Sequence, residues 1–158
     1  MNIKKILCPT DFSGPAEEAL LVAIDLARDY GAELLVAHAV EYLPPLLSGG
    51  KDPVSEFQAA CRQLEGEACV RLERHIDQAK QAHIPVTTLI KVGHPAAQIS
   101  EWAEEYGVDL IVIASHGLTG WRQALLGSVT ARLLLLTTRP IWIIQATPPK
   151  PGAAGRRP

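Results

Sequence analysis

Short apolar runs alternate with longer amphipathic stretches along the chain. Ile3 to Cys8 is an apolar run that stops at Pro9 and predicts a buried strand. Ala16, Ala19, Leu20, Ala23, Ile24 and Ala27 then recur at the spacing of one helix face, and Gly31 after Tyr30 is the stop. Glu33 to Val40 predicts a second strand, and the Pro- and Gly-bearing stretch from Glu41 to Pro53 a loop. A charged helix is predicted from Val54 to Ala82, with Phe57, Leu64, Cys69, Leu72 and Ile76 facing inward. Val86 to Val92 reads as a third strand. Pro95 opens a helix that runs to Tyr106 and stops at Gly107, and Asp109 to Ala114 reads as a fourth strand. Ser115 to Leu126 is a glycine-bearing loop. Gly127 and Ser128 open a helix to about Thr138, and Ile141 to Gln145 is a fifth strand.

Nearly continuous apolar strands separated by helices imply an α/β fold. It is a single open five-stranded parallel sheet with helices on both faces and right-handed crossovers. One domain is expected over residues 1–146, and residues 147–158, rich in Pro, Gly and Ala, read as a flexible tail. A chain of 158 residues with 47% apolar and 20% charged residues suits one packed core and excludes a disordered composition. The net charge of -2, with no long basic run, argues against a nucleic-acid partner. No stretch reads as a signal peptide or membrane span, so no membrane partner is expected and a reducing, cytoplasmic setting is. Cys8, Cys61 and Cys69 read as free thiols, and His75, His83 and His94 lack ligand spacing, so no metal held by protein side chains is expected.

In open parallel sheets, ligands bind beyond the carboxyl ends of the strands, where the strand order reverses. The residues that follow the strands are therefore the informative ones. They are Pro9, Thr10 and Asp11; His38, Ala39 and Val40; Ala114 to Gly117; and Gly127, Ser128, Val129 and Thr130. A helix N-terminus presents unpaired amides and positive dipole charge to an anion. Gly127 leaves room for a phosphate to approach, so a larger residue there takes the anion's place, and Ser128 adds a hydroxyl donor. Gly117 and Gly120 are read as positions of positive φ. Asp11 has two compatible readings, a helix cap and a partner for a ribose hydroxyl. His116 either touches phosphate or braces the loop, and Arg122 either reaches a phosphate or is solvated. Trp121 is an exposed contact or a lid, and the apolar Tyr42 to Leu47 loop closes over the ligand or packs; His38 reads as a core histidine. No Walker-type lysine, no paired base and nucleophile and no carboxylate cluster is evident. Binding without fast turnover is therefore the reading, with slow hydrolysis of a bound phosphate ester as the lesser alternative.

Ile6 to Ser13, Gly93 to Ala96, Asp109 to Val112, Ser115 to Gly120 and Leu125 to Val129 together resemble the universal stress protein (UspA-like) family, over Ile3 to about Ala146. The resemblance implies an adenine nucleotide alpha hydrolase-like, Rossmann-like sheet. The family's nucleotide-binding branch carries Gly, two residues, Gly, nine residues, then Gly with Ser or Thr. Gly117, Gly127 and Ser128 match, and Ala114 stands where the first glycine would be. The resemblance places Asp11 and Ala114 at the ribose, and Pro9, Thr10 and Ala39 at the adenine. It makes Ile113 apolar packing, and sets Gly117, Gly127, Ser128, Val129 and Thr130 at the phosphates. The implied ligand is ATP, or AMP, with magnesium left open. The family pairs subunits through its last edge strand, which makes Ile141, Trp142, Ile143 and Ile144 the candidate dimer contact; an ordinary covered strand is the alternative. The implied function is a homodimeric stress-response regulator, gated by adenine nucleotide and acting on a regulatory protein partner. The alternative is a nucleotide-independent dimeric adaptor of the same fold. An ATP pyrophosphatase-type enzyme needs a glycine-rich loop where Pro9 to Ser13 stand.

Overall fold

The computed structural model describes residues 2–41, 52–117 and 126–145. The Tyr42 to Leu47 segment, Gly120, Trp121, Arg122 and the 147–158 tail lie outside the described residues. Five parallel strands form one sheet: β1 (Lys5–Pro9), β2 (Glu33–Val40), β3 (Val86–Val92), β4 (Leu110–Ala114) and β5 (Ile141–Ile144), in the order β3-β2-β1-β4-β5. The helices are α1 (Gly14–Tyr30), α2 (Pro53–His75), α3 (Asp77–Gln81), α4 (Pro95–Glu105) and α5 (Ser128–Leu136).

The alternation of side chains along each strand sorts the apolar residues onto two faces. Ile6, Cys8, Leu34, Val36 and Val112 face Leu20 and Ile24 of α1, Leu72 of α2 and Ala79 of α3. Leu7, Leu35, Ile111 and Ile113 face Ile99 and Trp102 of α4 and Leu133 of α5. Both faces are covered, which is why the strands read as unbroken apolar runs rather than alternating ones. Burial in this core pushes the Cys8 thiol up to about 12.

Several boundaries differ from the sequence reading by one residue, at α2, α4, β4 and β5, and the following differ in ways that bear on packing. Pairing of β1 begins with Lys5 against Glu33, so Ile3 is buried but stands before the ladder. The predicted long helix is two, broken at Ile76 (φ -90°, ψ 2°), where neither Gly nor Pro marks the break. Its inward stripe is Ala68, Leu72, Ile76 and Ala79. Cys69 lies one residue, about 100° of helix, off that stripe and is exposed. Phe57 is 41% exposed, because none of the described side chains of α2 before Ala68 is buried. The last helix ends at Leu136 rather than at Thr138.

β1 hydrogen-bonds β2 on one side and β4 on the other. The chain steps outward from β1 through β2 to β3 and then returns to place β4 on the other side of β1, so the strand order reverses at the β1–β4 seam. Asp109 fixes the start of this seam: its Oδ2 accepts from the Lys4 and Lys5 amides at 2.8 and 3.0 Å. Those amides hold the Asp109 carboxyl below its ordinary value.

Candidate functional site

At the open end of the seam, the turn between β1 and α1 is tied down residue by residue. The Thr10 amide donates to the Ala37 carbonyl at 2.8 Å, and His38 Nδ1 lies 2.8 Å from the Thr10 carbonyl oxygen. A carbonyl only accepts, so this nitrogen carries the proton. Thr10 Oγ1 accepts from the Phe12 amide at 3.0 Å and pairs with His75 Nε2 at 3.1 Å. Phe12 takes a left-handed φ of 63°, uncommon for a bulky residue and characteristic of strained functional turns. Its ring lies 4.4 Å from the His38 ring and 5.6 Å from that of His75, with the Arg71 guanidinium carbon 4.2 Å from its centroid.

Helix α1 is capped by Ser13, whose Oγ accepts from the Ala16 amide at 3.3 Å. Asp11 is therefore not the cap. Its Oδ1 accepts from the Ser13 amide at 3.0 Å, and its other oxygen points across the seam to Gly117. A Cβ on Gly117 would fall on that carboxylate oxygen. The sequence reading gave Gly117 a positive φ; the structure does not, and close approach to Asp11 is what calls for glycine there.

On the other side of the seam, Gly127 donates its amide to the Ser115 carbonyl at 2.7 Å and forms the N-cap of α5. A Cβ on Gly127 would lie 3.2 Å from that carbonyl oxygen and 3.3 Å from His116 Cα, so the nearest limit on its size is the loop backbone. The amides of Ser128, Val129 and Thr130 open the helix without intrahelical acceptors. Thr130 is 3% exposed and its Oγ1 donates to the Ala114 carbonyl at 2.9 Å, so its hydroxyl braces β4 against α5. Ala114 continues β4 opposite Ile144 and has no positive φ, so alanine is unstrained there. His116 Nδ1 lies 3.1 Å from Ser115 Oγ, which supports bracing, and the ring also faces the cleft.

These pieces enclose a cleft of about 410 Å³. Every residue that the resemblance places at the nucleotide lines it, from Pro9, Thr10 and Asp11 to Ser128, Val129 and Thr130, together with His116, while Arg122 lies outside the described residues. Sequence reasoning missed Arg71 of α2 and Pro95 and Ile99 of α4, which also line it. Arg71 carried no signal, because it sits among other charged residues of an exposed helix face. His38 was read as a core residue; it is half-buried and lines the cleft. Partial burial holds the imidazoles of His38 and His75 below their ordinary value, and Arg71 adds to this. Asp11 opposes it at both rings, and Glu17 does so at His75. The cleft thus has apolar walls, a carboxylate in the middle and, at one end, helix amides that have no acceptor within their own helix. This donor set fits a sugar with an attached anion. No group of three potential metal-ligating side chains occurs among the described residues.

Among the described residues, β5 stands at the far edge of the sheet and pairs only with β4. Ile141, Ile143 and Ile144 are half-buried against the two cores, while Trp142 is 48% exposed. Leu134, Leu135 and Leu136 of α5 are exposed as well. Among the described residues, no helix is long and apolar enough to cross a membrane.

Comparison with known proteins agrees with this geometry. The model of the universal stress protein family matches residues 2–145. Universal stress protein MJ0577 of Methanocaldococcus jannaschii is 31% identical, with 90% of this chain and 94% of that protein covered. Universal stress protein YxiE of Bacillus subtilis is 30% identical, with 89% and 98% covered. The solved structure of MJ0577 superposes with a TM-score of 0.75 at 29% identity, covering 93% of this chain and 99% of the other. Two more distant structures share the fold. A universal stress protein in complex with cAMP has a TM-score of 0.62 at 24% identity, with 92% and 98% covered. An Arabidopsis thaliana family protein with AMP bound has a TM-score of 0.64 at 17% identity, with 92% and 93% covered. With the matched span running through all five strands and both sides of the cleft, this chain belongs to the universal stress protein family.

Proposed function

We propose that the chain is an adenine-nucleotide-binding module that works as a homodimer and signals the state of its cleft to a regulatory protein partner. The observation that carries this reading is the meeting of the β1–α1 turn and the α5 N-terminus in one cleft at the β1–β4 seam. The base lies at Pro9, Thr10 and Ala39, against Ile113. The ribose lies at Asp11 and Ala114, and the phosphates lie at Gly117, Gly127 and the amides of Ser128, Val129 and Thr130. ATP is the expected ligand ahead of AMP, since the amides at the helix start can hold more than one phosphate. The cAMP and AMP complexes of two family members support an adenine ligand. The exposed Trp142 on the edge strand, beside half-buried isoleucines, supports pairing through Ile141 to Ile144. A bound nucleotide shifts partner binding only if it favours one conformation over another.

The deciding experiment is calorimetric titration of nucleotide-stripped protein with ATP, AMP and GTP, with and without magnesium. Micromolar ATP affinity with weaker GTP binding is expected. No heat at millimolar ATP would overturn the reading and put the nucleotide-independent adaptor first.

A further inference from the structure

Thr10 spends every polar group it has on neighbours from three elements. Its amide goes to Ala37 of β2, and its carbonyl accepts from His38 of β2. Its hydroxyl oxygen accepts from the Phe12 amide in the turn and pairs with His75 in the last turn of α2. Thr10 is buried, and among the described residues the acceptor paired with its hydroxyl is His75 Nε2. The satisfied arrangement is therefore Thr10 O–H donating to a neutral His75 protonated at Nδ1. A second proton on His75 would turn Nε2 into a donor, and the Thr10 hydroxyl would then face a donor with its own proton unplaced.

We infer that His75 is an acid-sensitive latch on the mouth of the cleft: it holds α2 to the β1–α1 turn through Thr10 only while its ring is neutral, so acid weakens nucleotide binding at that turn. The binding half of the inference rests on the nucleotide reading above, which places the base beside Thr10. His75 acts through Thr10 and is a positioning residue.

The surroundings favour a response in mild acid. Facing His75 are Glu17 of α1, Asp11 of the turn, Arg71 of its own helix and, across the Phe12 ring, His38 of β2. Glu17 and Asp11 attract the added proton, Arg71 repels it, and partial burial outweighs them, so the ring titrates below its ordinary value of 6.5. The Arg71 guanidinium on the Phe12 ring is drawn into the same event, since it shares that ring with both histidines. Release of His75 removes the polar tie between the last turn of α2 and the β1–α1 turn, while Leu72 and Ile76 stay packed in the core.

The test begins without ligand. The His75 ring and the Phe12 amide are followed by NMR from neutral pH into mild acid, in the wild type and in His75→Gln. The expected result is one shared midpoint for both signals in the wild type. In His75→Gln, whose side-chain amide can accept from Thr10 at every pH, the Phe12 amide keeps only the smaller response that follows the separately observed His38 ring. A Phe12 amide that moves identically in the variant, or stays still while His75 titrates, overturns the latch. ATP affinity is then measured at both ends of the range in both proteins. The titration of ATP itself is common to both and cancels in the ratio. The acid-to-neutral ratio of Kd is expected to be about threefold to tenfold larger in the wild type, the size of one hydrogen bond's net contribution. Equal ratios overturn the link to binding. No ATP binding by either protein at either pH overturns the nucleotide reading, and the ligand-free NMR result then decides the latch.

Discussion

The carboxylate of Asp11 fills the space that a Cβ on Gly117 would need, its Cγ lying 3.2 Å from that point. Two residues 106 positions apart thereby define the middle of the cleft, and each limits what the other can be.

Gly117→Ala should displace the Asp11 side chain. Loss of stability of about 1–3 kcal/mol is expected from the crowding, together with weaker ATP binding by calorimetry. Asp11→Ala in the same protein removes the crowded group. Stability should then recover with a coupling of about 0.5–3 kcal/mol, while affinity stays low. Additive effects in this double-mutant cycle would show that the two residues do not compete for space.

Thr130→Val removes the buried hydrogen bond to the Ala114 carbonyl. Urea denaturation should show a loss of about 1–2 kcal/mol. By the sequence reading, Gly127→Val puts a side chain in the anion's place. With the Ser115 carbonyl 3.2 Å from the added Cβ, it should also destabilise the loop, by about 1–3 kcal/mol. Gly127→Ala, which adds one methyl, is the milder probe of the same position.

Much of this was legible in the chain because packing follows pattern. The apolar runs at Leu34 to Ala37 and Leu110 to Ala114 are buried on both sides, and their periodicity states as much. The lining of the cleft followed from a topological rule applied to the residues after each strand. What was not legible depends on tertiary placement. His75 reaches Thr10 across 65 positions, and although Thr10 stands out as a residue after a strand, no local pattern marks His75 as its partner. The break at Ile76 carries no Gly or Pro. Phe57 fits the helical stripe by hydrophobicity, but its part of α2 has no buried side chain among those described.

Stability should fall as the pH drops from neutral into mild acid. His38 and His75 have folded values below 6.5, so between that value and their folded values the unfolded chain binds more protons. The contribution is fully present at neutral pH and is lost as pH falls through 6.5 toward the folded values. Thermal melts should show this slope in the wild type and a shallower one in His75→Gln. Asp109, held below 3.8 by the Lys4 and Lys5 amides, adds a second loss at lower pH, which Asp109→Asn should remove.

Trp142→Lys places a charge on the exposed edge of β5. If that edge joins two copies, sedimentation should show the wild type as a dimer and the variant as a monomer with an unchanged melting profile. A variant that remains dimeric would move the contact away from Ile141 to Ile144.

The central place of β1 also shapes how the chain is made. During synthesis from the N-terminus, β1, β2 and β3 are complete once Val92 has emerged, yet one side of β1 has no neighbour until Leu110 and Ile111 arrive. The amides that Asp109 secures wait across 105 positions of chain. Until then the nascent sheet carries an open, apolar edge at Ile6 and Leu7, ready to accept a strand from another nascent chain. Ribosome pausing between β3 and β4 is therefore the moment of greatest aggregation hazard, and a truncation ending at Val108 should be recovered in inclusion bodies.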